Sequence, residues 1–352
     1  TGSSVAGCGL RNVGNTCWLN ATLQCLSHTP ALQRLLLSDA QGGRILRGMG
    51  AVLRDHLSAA TRAAGGAIEP RGVIESVRTI AKTLRVGRQE DAHEFLRAVV
   101  EGLDACEVDR AAIGGPRGKG EGPKAPPNEG SVAKAIFGGQ VTSEVACPAC
   151  KNVSVTRDAI LDLSVGIAGS SCASVEDALK AFTSPEKLGK GNEYKCEKCK
   201  ASVQATKRMT ISHAPCVLAV QLKRFDFTPS GTRVKLSKKV ALPESLSLSK
   251  FLSADASSSS STYDLFAVLV HEGKSINSGH YFSFCKVGGA WRRFDDAHVS
   301  AARPSEVLGS GGYILFYSSP PHLQPSLASL LAPGPSPLAG RMGGTSLQAE
   351  SV

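Results

Sequence analysis

The sequence predicts an α+β protein, and three observations carry that assignment. Apolar residues recur at helical spacing through the first third of the chain. Short β-branched and aromatic segments bounded by turn residues fill most of the remaining two thirds. Two Cys-x-x-Cys pairs, Cys147/Cys150 and Cys196/Cys199, interrupt the strand-rich part. Helices first and strands afterwards is the order of an α+β fold rather than of alternating β-α-β units.

Residues 10 to about 106 read as helical. Cys17 comes directly after a Gly-Asn-Thr turn and opens a helix on which Leu19, Thr22, Leu23 and Leu26 recur, and Pro30 stops the pattern. The best-defined helix runs from Gln89 to Leu103, with Ala92, Phe95, Leu96, Val99, Val100 and Leu103 on one face. Residues 107–131, rich in Gly, Pro and Lys, read as a flexible surface insertion. Strands are expected near 136–145, 153–165, 203–211, 216–225, 263–270, 281–287 and 313–317. The run Ser257 to Ser261 reads as a disordered hairpin extension, and the aperiodic Pro-, Ser-, Gly- and Leu-rich stretch at 318–352 as a disordered tail.

The 352 residues, 42% hydrophobic, suffice for one large domain or two ordinary ones, and no apolar run reaches the ~20 residues of a membrane span. The net charge of +10 concentrates at Lys187–Arg208 and Lys223–Lys239. No nucleic-acid recognition motif accompanies these charges, so solvated faces are expected, with no specific nucleic-acid partner and no membrane partner. The chain opens Thr-Gly-Ser-Ser without a charged-then-apolar leader, and its eleven cysteines cannot all pair. A reducing location, cytosol or nucleus, is the expectation.

A thiol at a helix N-terminus feels the positive end of the macrodipole, which favours the thiolate. Cys17 has that position; a small buried hydrophobe is the alternative. Asn12, five residues upstream, is placed to donate its side-chain amide to an oxyanion. Among eight histidines, His280 has the best context for a base: Gly279 allows close backbone approach, and an alternating strand comes after it. The strand Trp291 to Asp296 ends in two carboxylates, and Asp295 is suited to orient the imidazole. Asp91 and Glu94 fall in the first turns of a helix, where anions are favoured. The two cysteine pairs have zinc-knuckle spacing and together supply four thiolates for one tetrahedral metal. The 45 residues between them exceed a simple zinc ribbon, so the knuckles are expected at the tips of longer strands. Cys25, Cys216 and Cys285 are expected to be buried.

Four motifs resemble the catalytic domain of the ubiquitin-specific proteases, papain-like deubiquitinating cysteine peptidases. They are the box around Cys17, Gln89 through Leu96, Leu222-Lys223-Arg224-Phe225, and Tyr263 to His271 with Gly279-His280-Tyr281 and Trp291 to Asp296. The resemblance spans residues 9–317 and implies a papain-like fold in one domain, 1–317. That domain would divide into a helical thumb (about 9–106), zinc-binding β fingers (about 136–160 and 190–215) and a β palm (about 160–189 and 216–317). It further implies hydrolysis of the bond after the C-terminal Gly-Gly of ubiquitin, with ubiquitin and ubiquitinated proteins as partners. Cys17 would be the nucleophile, His280 its base and Asp295 the residue holding His280, while Asn12 and the Cys17 N–H would bind the oxyanion. Asp296 would either assist there or be an ordinary strand-end carboxylate. Gln89, Asp91, Glu94 and Tyr281 would meet the ubiquitin tail, Asp91 pairing with its arginine, and His271 would be supporting structure. Cys147, Cys150, Cys196 and Cys199 would hold one structural Zn²⁺ per chain without catalytic duty. An intact Cys17, His280 and Asp295 set argues against a non-catalytic ubiquitin-binding scaffold. The zinc pairs and the acidic motif argue against a generic Cys-His-Asp acyltransferase. Loops 227–233 and 272–279 are expected to border the tail channel and to order when it is filled.

Overall fold

The computed structural model describes residues 7–37, 49–63, 66–104, 132–189, 191–227, 233–256, 261–275 and 278–320. The expectations for 107–131, for most of the serine run, for the tail from 321 and for the centres of loops 227–233 and 272–279 fall outside those residues.

The first part is helical. Helix α1 (Cys17–Ser27) is buried along its whole length, seated on the strand Ser278–Val287. It is joined by α2 (Pro30–Leu37), α3 (Met49–Arg62), α4 (Arg71–Ile80), α5 (Ala92–Asp104) and the short α6 (Val132–Phe137), and α5 packs against α1, α3, α4 and α6. Trp18 meets Phe95 edge-on with ring centroids 5.0 Å apart, which locks α1 against α5. Helix α5 begins at Ala92 rather than Gln89 because Asp91 caps it: Oδ1 accepts from the N–H groups of His93 and Glu94, each at 2.9 Å. The strand expected from 136 starts instead at Gly139. Val132, Ala133, Ile136 and Phe137 are all buried, and this spacing suits a helical turn seated on the thumb core. Gly138 makes the change of direction, since a Cβ there would lie 2.2 Å from the Lys134 carbonyl oxygen.

An eight-stranded sheet forms the palm. Its order is His298–Ala301, Ala290–Asp295, Ser278–Val287, Thr262–Ser275, Gly312–Ser318, Val217–Lys223 and Leu163–Gly166, with Ser245–Ser247 added on Thr262–Ser275. Pairing is antiparallel except between Val217–Lys223 and Leu163–Gly166. Successive side chains divide between two cores, as the period of a strand requires. Ala267, Leu269, Tyr281, Cys285 and Phe316 join the thumb helices, whereas Val268, Val270, Phe282, Phe284 and Leu315 join helix α7 (Val175–Thr183) on the other face. Helix α7 is closed by a reciprocal capping box between Ser174 and Asp177. A short α8 (Pro304–Leu308) precedes the last strand.

The fingers are a separate four-stranded sheet, ordered Val153–Ile160, Gly139–Ala146, Thr206–His213 and Glu186–Lys187, beside a small hairpin of Tyr194–Lys195 and Ser202–Val203. The stretch expected as one strand over 153–165 is therefore two. It bends at Leu161-Asp162, and its second half passes into the palm sheet.

Candidate active site

Cys17 is the first residue of α1, aimed by a loop that only certain residues can form. Gly14 (φ +105°) and Asn15 (φ +50°) both take left-handed conformations, and the Asn12 side chain fastens the turn. Asn12 Oδ1 accepts from the backbone N–H of Gly14 and of Thr16, each at 3.1 Å, and from the Thr16 hydroxyl at 3.2 Å. With its oxygen engaged, the Asn12 amide nitrogen turns the other way and donates to Asp296 Oδ2 at 2.8 Å. The Cys17 side chain is 1% exposed.

His280 stands opposite, on Ser278–Val287. Its Nε2 and Asp295 Oδ1 are 2.6 Å apart, which leaves Nδ1 for Cys17. The hydrogen bond to the Cys17 sulfur and then the Asp295 carboxylate push the imidazole up to about 9, against the opposing effect of burial. Gly279 lets this strand pass close to its neighbour. A Cβ there would lie 2.4 Å from both the Glu272 carbonyl oxygen and His271 Nε2. His271 itself is buried between the rings of Tyr281 and Phe225, with centroids 4.5 and 5.5 Å away, and desolvation lowers it to about 4. It is a neutral packing partner behind the strand.

Asp295 and Asp296 are adjacent but do different things. Asp295 Oδ2 accepts from Arg293 at 3.0 Å, so its two oxygens are divided between imidazole and guanidinium. Asp296, at φ +49° in the turn, faces the thumb: Oδ2 meets Asn12, and Oδ1 accepts from Asn20 Nδ2 at 2.8 Å. Its backbone oxygen also accepts from the Leu10 N–H at 2.8 Å. Asn20 and Arg293 lie inside the motif segments, but the sequence reading gives neither of them a role. Asn20 lies three residues after Cys17, one helical turn on, and such an amide in a buried helix is the signal available for it. A cation two residues before Asp295 on the same strand face is the signal for Arg293.

The residues expected to meet a substrate tail line the thumb side. Asp91 Oδ2 accepts from the Tyr313 hydroxyl of the palm at 2.8 Å while Oδ1 caps α5. Gln89 Nε2 donates to Asn15 Oδ1 at 3.4 Å, and its Oε1 is buried with no hydrogen-bond partner. Glu94 accepts from Thr83 and is exposed. Tyr281, expected among the contacts, is 1% exposed and forms the wall behind them. His93, which the sequence leaves without a role, pairs with Asp162 at 2.8 Å and ties α5 to the bend between fingers and palm. Cys25 and Cys285 are buried as expected, whereas Cys216 is half-buried.

At the fingertips the Sγ atoms of Cys147, Cys150, Cys196 and Cys199 lie within 4.8 Å of one another. The two hairpins repeat one geometry. Lys151 and Lys200 return their N–H to Cys147 and Cys196 at 3.0 and 2.8 Å, each in a left-handed conformation. The contacts Cys147–Cys199 and Cys150–Cys196 measure 3.8 and 3.6 Å. Four thiolates about 2.3 Å from one tetrahedral ion would be separated by roughly 3.8 Å, so the donor set fits zinc. Backbone N–H groups, first that of Cys199, pull the Cys196 thiol down to about 6.

Comparison with known proteins identifies the family. The chain matches the ubiquitin carboxyl-terminal hydrolase family over residues 8–317. It is 40% identical over 318 residues to the probable ubiquitin carboxyl-terminal hydrolase 16 of Schizosaccharomyces pombe, covering 88% of this chain and 66% of that protein. It is 38% identical over 319 residues to human ubiquitin carboxyl-terminal hydrolase 42, covering 88% of this chain and 23% of that protein. Thus the chain spans less than two thirds of either relative. Among solved structures, it superposes on the SAGA Ubp8/Sgf11/Sus1/Sgf73 DUB module bound to ubiquitin aldehyde with a TM-score of 0.71 and 26% identity, covering 90% of this chain and 70% of that one. A yeast SAGA DUB module with an Sgf73 mutant gives a TM-score of 0.72 and 28% identity, again over 90% of this chain and 70% of that one. Matched by that family over residues 8–317, this chain belongs to the ubiquitin carboxyl-terminal hydrolases.

Proposed function

We propose that this chain is a thiol-dependent deubiquitinase, which cleaves the isopeptide or peptide bond after the C-terminal glycine of ubiquitin and releases ubiquitin from protein conjugates. One observation carries it: Asp295 Oδ1 lies 2.6 Å from His280 Nε2, and Cys17 at the start of α1 is the strongest influence raising that imidazole. In this mechanism Cys17 attacks the glycine carbonyl, and His280 takes the thiol proton and later gives it to the leaving amine. Asp295 fixes the ring and stabilises the imidazolium. Asn12 has one amide N–H left after donating to Asp296, and with the Cys17 N–H it receives the oxyanion. Asp296, which accepts from both Asn12 and Asn20, acts by aiming that amide. The ubiquitin aldehyde bound to the matching DUB module is the kind of ligand expected in such a cleft.

Gln89, Asp91 and Glu94 border the tail channel, with the unpaired Gln89 oxygen ready for a backbone N–H of the tail and Asp91 for its arginine. Tyr281 supports Asp91 from behind. One structural Zn²⁺ on Cys147, Cys150, Cys196 and Cys199 fastens the fingers that would grip the body of ubiquitin. These cysteines, Cys17 included, need a reducing, intracellular setting. The thumb, fingers and palm boundaries drawn from the sequence belong to the same proposal. Among the described residues no helix is long and apolar enough to cross a membrane. The test is exposure to a ubiquitin C-terminal electrophile: a mass increase of one ubiquitin on Cys17, absent in Cys17→Ala, is the expected result. Labelling elsewhere, or none, would refute it.

A further inference from the structure

Among the described residues, Arg293 is the cation that touches the Cys17–His280–Asp295 row without belonging to it. Arg293 and Asp295 lie two apart on a strand and therefore on one face. The guanidinium carbon rests 3.9 Å from the centroid of Phe282, and Phe282 in turn packs edge-on against Phe284 with centroids 5.4 Å apart. That platform is buried and rigid, Phe282 and Phe284 being 3% and 2% exposed. A stacked guanidinium is held in plane, so its N–H reaches Asp295 Oδ2 at 3.0 Å from a fixed direction. Oδ1 is thereby left to face His280 Nε2.

We propose that Arg293 is a positioning residue for the catalytic row: it orients the Asp295 carboxylate toward His280 and, by sharing its negative charge, limits how strongly Asp295 holds the imidazolium proton. This rests on the deubiquitinase reading and adds a residue to it. A row in which Asp295 served His280 alone would grip the imidazolium proton more tightly, and His280 has to release that proton to the leaving amine in every turnover. The guanidinium lowers that grip while the stacking keeps the geometry.

The charged and titratable groups facing His280 are Cys17 from α1, Asp295 and Arg293 from its neighbouring strand with Asp296 in the turn that ends it, and His271 and Glu272 from the strand on the other side. Replacing Arg293 alters one of these and leaves the rest. Arg293→Gln removes the charge and Arg293→Lys keeps it without the stacked fork. Two measurements are needed. The first is the imidazole titration of His280 followed by NMR in the free protein, which requires no turnover. Arg293→Gln should move the midpoint upward by about half a pH unit, and Arg293→Lys should leave it near that of the parent. The second is hydrolysis of a ubiquitin C-terminal amide. Both variants should lose roughly 3- to 10-fold in kcat with KM unchanged, because orientation is lost in each. A His280 midpoint unmoved in Arg293→Gln would overturn the proposal, as would a kcat equal to that of the parent. Failure of the parent itself to hydrolyse the substrate would instead count against the deubiquitinase reading, and the NMR titration would still decide for or against Arg293. Thermal midpoints of both variants check that the strand is intact.

Discussion

Asn12 and Asp296, 284 positions apart, meet in one hydrogen bond of 2.8 Å that joins the cysteine loop to the end of the histidine sheet. The bond spans the cleft, so the amide proposed as oxyanion donor on one wall is aimed by a carboxylate from the other. Asn20, on α1, shares that carboxylate and so ties the helix of the nucleophile to the same point. Asn12→Ala should lower kcat about 10²-fold with little change in KM, the usual cost of one oxyanion donor. Asp296→Ala should reproduce most of that loss by freeing the Asn12 amide, and the double variant should be no worse than Asn12→Ala alone. Steady-state kinetics with a fluorogenic ubiquitin substrate measure this; additive losses would show that Asp296 acts separately.

Cys17→Ala should abolish hydrolysis and keep ubiquitin affinity. On the proposed function the thiol would supply the chemistry, and surfaces spread over thumb, palm and fingers would supply the grip. Binding measured by calorimetry should change less than tenfold while turnover falls to background. Residual turnover above trace level would remove Cys17 from the role of nucleophile.

Much of this site is legible in the residues themselves. Cys17 after Gly-Asn-Thr, His280 after glycine and Asp295 at a strand end each stand where local geometry demands an unusual residue: a left-handed turn, a close strand approach, a strand terminus. The illegible part consists of relationships that depend on tertiary partners. No local pattern says that Asp91 spends one oxygen on the α5 cap and the other on Tyr313, or that Tyr281 is covered. The end of the α6 turn reads as strand because Val132–Phe137 is short, and short apolar runs fit either period. The break at Leu161-Asp162 is equally tertiary: both halves are strands, and only sheet membership separates them.

Stability should pass through a maximum between mildly acidic and mildly alkaline pH, for reasons held in three histidines. Burial lowers both His56 and His271 to about 4, below the ordinary value of about 6.5. The unfolded chain therefore binds protons that the folded chain refuses, and stability falls as pH drops from about 6.5 through about 4. His280 has the opposite sign. Raised to about 9, it contributes stability that is fully present below about 6.5 and is lost as pH climbs through about 9. Thermal midpoints across this range should show both arms, and His56→Gln should flatten the acid one. Turnover should decline above about pH 9 as the imidazolium loses the proton that the leaving amine needs. An acid arm equally steep in His56→Gln would exclude His56 as a source.

Zinc should be found at one equivalent per chain, and Cys147→Ser or Cys196→Ser should lose it. Such a site binds metal and folds in one step, so removal by a strong chelator should expose the fingers to limited proteolysis near 147–152 and 196–201 before the palm is cut. Cys17 should remain chemically competent afterwards, since the knuckles are held by their own strands. Elemental analysis with mass mapping of the first cuts checks this. A disulfide within either pair, or unchanged proteolysis without metal, would be the contrary result.

Asp91 offers the sharpest separation of binding from chemistry. Its carboxylate caps α5 with one oxygen and accepts from Tyr313 with the other, which fixes its plane beside the cleft and joins thumb to palm. A guanidinium from the substrate tail would add to the Tyr313 side without displacing the cap. Tyr313→Phe should therefore raise KM several-fold at constant kcat, because the carboxylate remains but loses its orientation. Asp91→Ala should raise KM much further and destabilise the protein by about 1 kcal/mol through the lost cap. Asp91→Asn separates the two effects: the amide oxygen still caps the helix, but the charge for the arginine is gone. Stability close to the parent with a KM close to that of Asp91→Ala is the expected outcome for that variant. A tail in which the arginine is replaced by leucine should then bind parent and Asp91→Asn alike. If parent and Asp91→Asn still differed tenfold toward that leucine tail, the carboxylate would be serving the fold of the cleft and not the arginine.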